Sequence, residues 1–203
     1  MRTPPAPLLP ILRSQVAGEV LALLYLHPEA EYSLSEVARI LGSSIRAVQH
    51  EVSRLVEADL VQDRRHGNLR LIRRGPETLL TRPLTDLLAA TYGPLPVMRD
   101  LLSTTPGIQS AYIYGSWAAR YTGEPGPIPA DIDVLVIGTP TLDDLDDVME
   151  QAQSRLHRSV QIRRVRPETW NDPSPADPFL QSVKSRPLVQ IVGTSAEDED
   201  KSR

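Results

Sequence analysis

Apolar residues recur at helical spacing in the first third of this chain and with strand alternation after it. From Ile11 to Leu26 they fill almost every face, which predicts a core helix stopped at His27-Pro28, where proline blocks continuation. A second helix follows Tyr32: Ser33 caps it, Glu36 completes a capping box, and Gly42 closes it in a left-handed turn. Ser43 or Ser44 caps a third helix, from Ile45 to about Ala58, with Val48, Val52, Leu55 and Val56 facing inward. Leu60–Arg65 and Leu69–Arg73 then alternate as two strands, with His66-Gly67-Asn68 as the hairpin turn.

Helix, helix-turn-helix and basic hairpin in this order describe a winged helix-turn-helix, assigned to residues 1–75. Pro76 to about Thr91 reads as a linking helix, within a 76–92 segment, and Tyr92-Gly93-Pro94 breaks the chain. Over 93–193 the pattern predicts a helix at Leu95–Ser103, then a strand through Ala111–Tyr114 that ends at Gly115-Ser116 and opens a short helix. After a Pro/Gly-rich loop, Asp131-Ile132-Asp133 starts an apolar strand that runs to Ile137. A strand at Ser159–Val165, a helix at Ala176–Lys184 and a strand at Leu188–Val192 complete an α+β chain with a mixed sheet flanked by helices. From Thr194 the tail is polar and acidic, with the composition of a disordered segment.

Composition narrows the setting. The 203 residues suit two small domains, and aromatics make up only 4%, so the cores must be aliphatic. The absence of cysteine excludes disulfide frameworks and thiolate metal sites. No apolar run is long enough to span a bilayer, and Met1–Pro10 lacks the zones of a signal peptide, so a cytoplasmic protein with no membrane partner is expected. The net charge of -4 hides an asymmetry: residues 1–75 carry ten Arg against eight acidic residues, whereas the remainder carries twelve basic against eighteen acidic. Such a split suits two surfaces with different partners.

The first surface has the chemistry of a DNA reader. The outward face of the third helix offers Ser43, Ser44, Arg46, Gln49, His50 and Arg54 to base edges and phosphates of a major groove. The hairpin adds Arg64, Arg65, His66, Arg70, Arg73 and Arg74, guanidiniums suited to phosphate contact. A protein-docking module with a solvated basic face would carry the same charges. Through Ser33–Ala38, the helix end Val52–Leu60 and the basic wing at Gly67, residues 11–75 resemble the winged-helix domains of ArsR-type bacterial transcription regulators. The resemblance implies double-stranded DNA as a partner. It also implies a homodimer, for which the apolar Ile11–Leu26 and Glu77–Thr91 helices are the candidate seam. The cysteine and histidine clusters of metal-sensing members are missing, so no metal sensing is implied.

The second surface has the chemistry of a nucleotide site. Gly115-Ser116 at a strand-to-helix turn puts backbone N–H groups and a hydroxyl where phosphates could sit. Asp131 and Asp133, two residues apart on a strand, project from one face and are hard oxygen ligands suited to Mg²⁺. Each feature alone has a plain structural explanation, a turn or a strand end. Together they resemble the minimal nucleotidyltransferase family of the polymerase-β-like superfamily, over roughly residues 93–193. That resemblance implies a nucleotidyltransferase fold in which Gly115 and Ser116 hold the phosphates of an NTP. Asp131 and Asp133 would act as catalytic residues that bind Mg²⁺. The family has a third carboxylate on a later strand, and at that place this chain has Gln161, a neutral amide that cannot act as a base. Glu168 lies beyond the strand. Arg163, Arg164 and Arg166 offer phosphate contacts or simply form a solvated strand face.

Gln161 orders the functions. Loss of one metal carboxylate removes charge stabilisation on which phosphoryl transfer depends. The reading placed first is a DNA-binding transcriptional regulator whose second domain binds a nucleotide with weak or no turnover. The second is an active Mg-dependent enzyme that transfers NMP to a protein, RNA or small molecule. The family resemblance also admits one member of a toxin–antitoxin pair, with a toxin as protein partner.

Overall fold

A computed structural model describes residues 14–174 and 177–193. The first three residues of the expected Ile11–Leu26 helix, Ala176 and the acidic tail from Thr194 lie outside the described residues. The chain divides into two compact units, Met1–Gly93 and Pro94–Arg203, and is mixed α+β with two sheets.

In the first unit α1 (Gln15–Leu26) starts at Ser14, whose hydroxyl accepts the Ala17 N–H at 3.3 Å. Val20 and Leu24 are fully buried, and every position from Val20 to Leu26 lies in the core. A short strand β1 (Tyr32–Ser33) leads into α2 (Leu34–Ile40). The capping box forms as expected: the Ser33 N–H donates to the Glu36 carboxylate at 2.7 Å, and the Glu36 N–H donates to the Ser33 hydroxyl at 3.3 Å. Gly42 sits at φ +58°, a left-handed conformation that glycine adopts without strain. Ser44, rather than Ser43, caps α3 (Ile45–Glu57), accepting the Ala47 N–H at 3.2 Å. Val48, Val52 and Leu55 are buried as the spacing predicts, and Val56 is half-buried. Burying each such aliphatic side chain stabilises the fold by about 1.5–3 kcal/mol.

The hairpin consists of β2 (Val61–His66) and β3 (Leu69–Arg74), paired from Val61–Arg74 to His66–Leu69. Gly67 at φ +59° makes the turn, and β1 pairs with the outer side of β3 to give the order β1-β3-β2. The next helix is shorter than the sequence suggests: α4 spans Thr81–Tyr92 rather than beginning near Pro76. Pro83 accounts for this. Proline is tolerated in the first turn of a helix but would break the interior of one started at residue 76. The intervening turn is closed by Thr78, whose N–H donates to the Thr81 hydroxyl at 2.9 Å. α4 packs against α1.

The second unit contains α5 (Pro94–Leu102), β4 (Ile108–Tyr114), α6 (Gly115–Tyr121), β5 (Asp131–Gly138), α7 (Leu142–Leu156), β6 (Ser159–Val165), α8 (Pro167–Asn171), α9 (Pro178–Lys184) and β7 (Val189–Val192). The sheet order is β6-β5-β4-β7, with β5 and β6 parallel and the other pairs antiparallel. α7 has no counterpart among the elements expected from the sequence. Thr141 caps it, accepting the Asp144 N–H at 3.1 Å, and Leu145, Val148, Ala152 and Leu156 form its buried stripe. α7 supplies the crossover that a parallel β5–β6 pair requires. One half of one sheet face is closed over by α9: Leu135, Ile137 and Val165 pack with Leu180 and Val183, ringed by Tyr112, Tyr114, Trp170 and Phe179. No described helix is long and apolar enough to cross a membrane.

Candidate functional site

In the second unit, side chains that share a face of the sheet follow from the strand register. Asp131 and Asp133 alternate with buried Ile132 and Val134, so both carboxylates lie on the face of Leu135 and Ile137. Across β4, Asp133 pairs with Tyr114; across β6, it pairs with Gln161. Gln161 therefore occupies the β6 position in register with Asp133 and on the same face. Asp131 is exposed and Asp133 half-buried. Burial, and then repulsion from Asp131, push the Asp133 carboxyl above its ordinary range.

Gly115 begins α6 at φ +69°. A Cβ there would lie 2.8 Å from Asp133 Oδ2, so the missing side chain is what lets the carboxylate approach the strand-to-helix turn. Trp117 and Ala118 anchor the helix in the core, and Ser116 beside them is exposed. The four residues taken from the sequence (Gly115, Ser116, Asp131 and Asp133) thus converge at the ends of β4 and β5. Two carboxylates on one face fit a single hard cation shared with ligand phosphates. Among the described residues no third His, Asp or Glu joins them, so the set does not fit a two-ion centre.

The roles of Tyr114 and Phe179 on this face escaped the sequence reading, which had offered Arg163 only as one of a run of three arginines. Tyr114 stands edge-on to Phe179, their ring centres 5.7 Å apart. Burial raises the Tyr114 hydroxyl, Asp133 raises it further, and Arg163 opposes the shift. The Arg163 guanidinium lies over the Phe179 ring, 3.5 Å from its centre. The signal in the sequence was parity: Arg163 is two residues from Gln161 and must share its face. Phe179 had no such signal, because α9 reaches the sheet only through tertiary packing. The other two arginines of the run take different positions. Arg164 donates to the Pro140 carbonyl at 2.6 Å, and Arg166 occupies the N-cap of α8. Glu168 lies within α8 and has no place on β6.

In the first unit, Arg46, Gln49, His50 and Arg54 are exposed on α3. His50 and Arg54 flank Glu51 at 3.7 and 3.6 Å, and the Ser44 hydroxyl is already used as the cap. Ser43 is half-buried. On the hairpin, Arg65 and His66 are exposed, whereas Arg64 forks onto Glu31 with contacts of 3.0 and 2.6 Å. Arg70 reaches Asp63 at 2.6 Å and Ser53 on α3 at 3.4 Å, so it ties the hairpin to that helix. Arg73 bonds Gln62 and Arg74 bonds Glu77. Exposed pairs of this kind contribute roughly 0–1 kcal/mol.

No protein-family model matches the chain, and no curated protein matches it. Among solved structures, the adhesin competence repressor of Streptococcus pyogenes is similar at 18% identity over 38% of this chain, with a TM-score of 0.32. The matched part spans 55% of the repressor's own length. A toxin–antitoxin structure with AMP-PNP is similar at 24% identity, covering 51% of this chain and 77% of that one, with a TM-score of 0.36. The tri-AMPylated HEPN toxin of Shewanella oneidensis in complex with its MNT antitoxin gives 24% identity, 51% and 70% coverage, and a TM-score of 0.31.

Proposed function

We propose that this chain is a DNA-binding regulator, with a winged helix-turn-helix as its first unit and a nucleotide-binding, nucleotidyltransferase-like second unit of little or no turnover. One observation carries the second half of this reading: Asp131 and Asp133 share a face at the glycine turn, and Gln161 is their neighbour across β6. Asp131 and Asp133 would hold one Mg²⁺, and the ion would offset phosphate charge when bound. Gly115 keeps the turn close to Asp133, and the exposed Ser116 hydroxyl can donate to a phosphate oxygen. Gln161 can hydrogen-bond but cannot take a proton from an attacking hydroxyl. The first half rests on exposed Arg46, Gln49 and His50 along α3 and on Arg65 and His66 in the adjoining hairpin, the two elements such a reader presents to a groove and its flanking phosphates.

Isothermal titration of the full chain with each NTP, with and without Mg²⁺, tests the nucleotide half. Binding strengthened by Mg²⁺ is expected, with product formation near background. Robust NMP transfer would make the protein an enzyme, and no binding at millimolar nucleotide would leave a fold without its ligand. Duplex binding in a gel shift, weakening steeply with salt, tests the DNA half.

A further inference from the structure

We infer that Arg163 is the anion-binding residue of the second unit's site, taking the phosphate groups of a bound nucleoside triphosphate; the inference rests on the nucleotide reading above. Arg163 pairs in register with Leu135, one step along β6 from the Gln161–Asp133 pair and on the same face. It stands where that face changes character. On one side Leu135 and Ile137 are closed over by α9; on the other the carboxylates are left uncovered. The guanidinium carbon lies 3.5 Å from the centre of the Phe179 ring, and among the described residues none of its N–H donors meets a carboxylate or carbonyl. A guanidinium resting on a ring face keeps its edge donors available, and its planar fork matches two phosphate oxygens.

Charge gives the reason. Asp131, Asp133 and a single cation come close to neutrality by themselves, so a triphosphate bound through one cation remains strongly negative. Where a third carboxylate would have recruited a second cation, this chain has a neutral amide. The compensating positive charge must then come from the protein. On this face Arg163 supplies it; Arg164, the next residue, pairs with Val136 and belongs to the opposite face, where it donates to the Pro140 carbonyl. Arg163 would thus set specificity for phosphorylated over unphosphorylated nucleosides.

The test is titration of the full chain and its Arg163→Met, Arg163→Lys and Arg166→Met variants with ATP, AMP and adenosine, all with Mg²⁺. Methionine keeps cover over Phe179 without the charge, and circular dichroism with thermal melting checks the fold. Arg163→Met should weaken ATP binding roughly ten- to hundredfold, as expected for lost charge-assisted hydrogen bonds. It should weaken AMP less and leave adenosine unchanged. Arg163→Lys should fall between wild type and Met, and Arg166→Met should match wild type. If the wild type binds ATP and Arg163→Met binds it equally, the inference fails and the nucleotide reading stands. An equal loss in Arg166→Met would reduce the effect to general charge and also overturn it. If the wild type binds no nucleotide, both fall. Should the methionine variant not fold, lysine decides: undiminished ATP affinity in Arg163→Lys overturns the bidentate contact.

Discussion

At the scale of single residues, the tightest constraint in the second unit lies between Gly115 and Asp133. Alanine at 115 would need a left-handed backbone, and its Cβ would press on the carboxylate at 2.8 Å. Gly115→Ala should therefore destabilise the unit by about 1–2 kcal/mol and displace Asp133. Urea melts together with Mg-dependent nucleotide titration check this; unchanged stability and unchanged Mg²⁺ enhancement would show the turn to be permissive. Asp133 is costly for the fold in a way that pH exposes. Its carboxyl is raised above the ordinary 3.8 by burial and by Asp131, so the folded state holds the proton more tightly than the unfolded chain. The penalty is absent at pH below that ordinary value, grows as pH rises through the folded pKa, and is complete at neutrality. Asp133→Asn should accordingly raise the melting temperature at pH 7 by roughly 1–3 °C, with a smaller gain near pH 4, while abolishing Mg²⁺ enhancement of NTP binding. Thermal melts at the two pH values decide; a pH-independent gain would mean that charge is not the cause.

At the scale of elements, local chemistry and long-range packing divided the work. α2 and α3 were legible because their starts and stops are local: Ser33 with Glu36, Gly42, and Ser44 each act within four residues. The start of α4 is set by Pro83, which fits the first turn of a helix begun at Thr81 but not the interior of one begun at Pro76. α7 carries a regular stripe at Leu145, Val148, Ala152 and Leu156, and its place as a crossover follows from the parallel pairing of β5 with β6, which no local signal states. The hairpin shows how exposed charge is arranged in advance. Glu31 holds Arg64, and Arg70 is fixed to Asp63 and Ser53, which leaves Arg65 as the freer cation of the hairpin. Replacing Arg64 and Arg65 with Ala should weaken binding to all duplexes alike and lower the slope of log affinity against log salt by about one to two. Gel shifts over a salt series measure both quantities, and undiminished binding by the double variant would remove the hairpin from the proposed interface. Gln49→Ala should instead change sequence preference.

At the scale of the whole molecule, self-association is the property at issue, for which the sequence offered two helices. α1 is buried from Val20 to Leu26 within its own unit and has little face left to share. α4 differs: Leu87 on it is 44% exposed, and just before it Leu80 at the N-cap and Leu79 are 66% and 96% exposed. A homodimer through α4 is the expected state at micromolar concentration, and Leu80→Glu with Leu87→Glu should convert it to monomer. Sedimentation velocity distinguishes these outcomes; a wild-type monomer would refute the seam. The sequence by itself determined the helix-turn-helix, the hairpin, the Gly115-Ser116 turn and the facing pair Asp131 and Asp133, because caps, turn residues and strand parity act over a few residues. Only the tertiary structure decided that Gln161 neighbours Asp133, that Arg163 rests on Phe179, and that Arg64 and Arg70 are already paired. Those relations depend on which strands lie side by side and on helices that return from far along the chain, and no local periodicity encodes them.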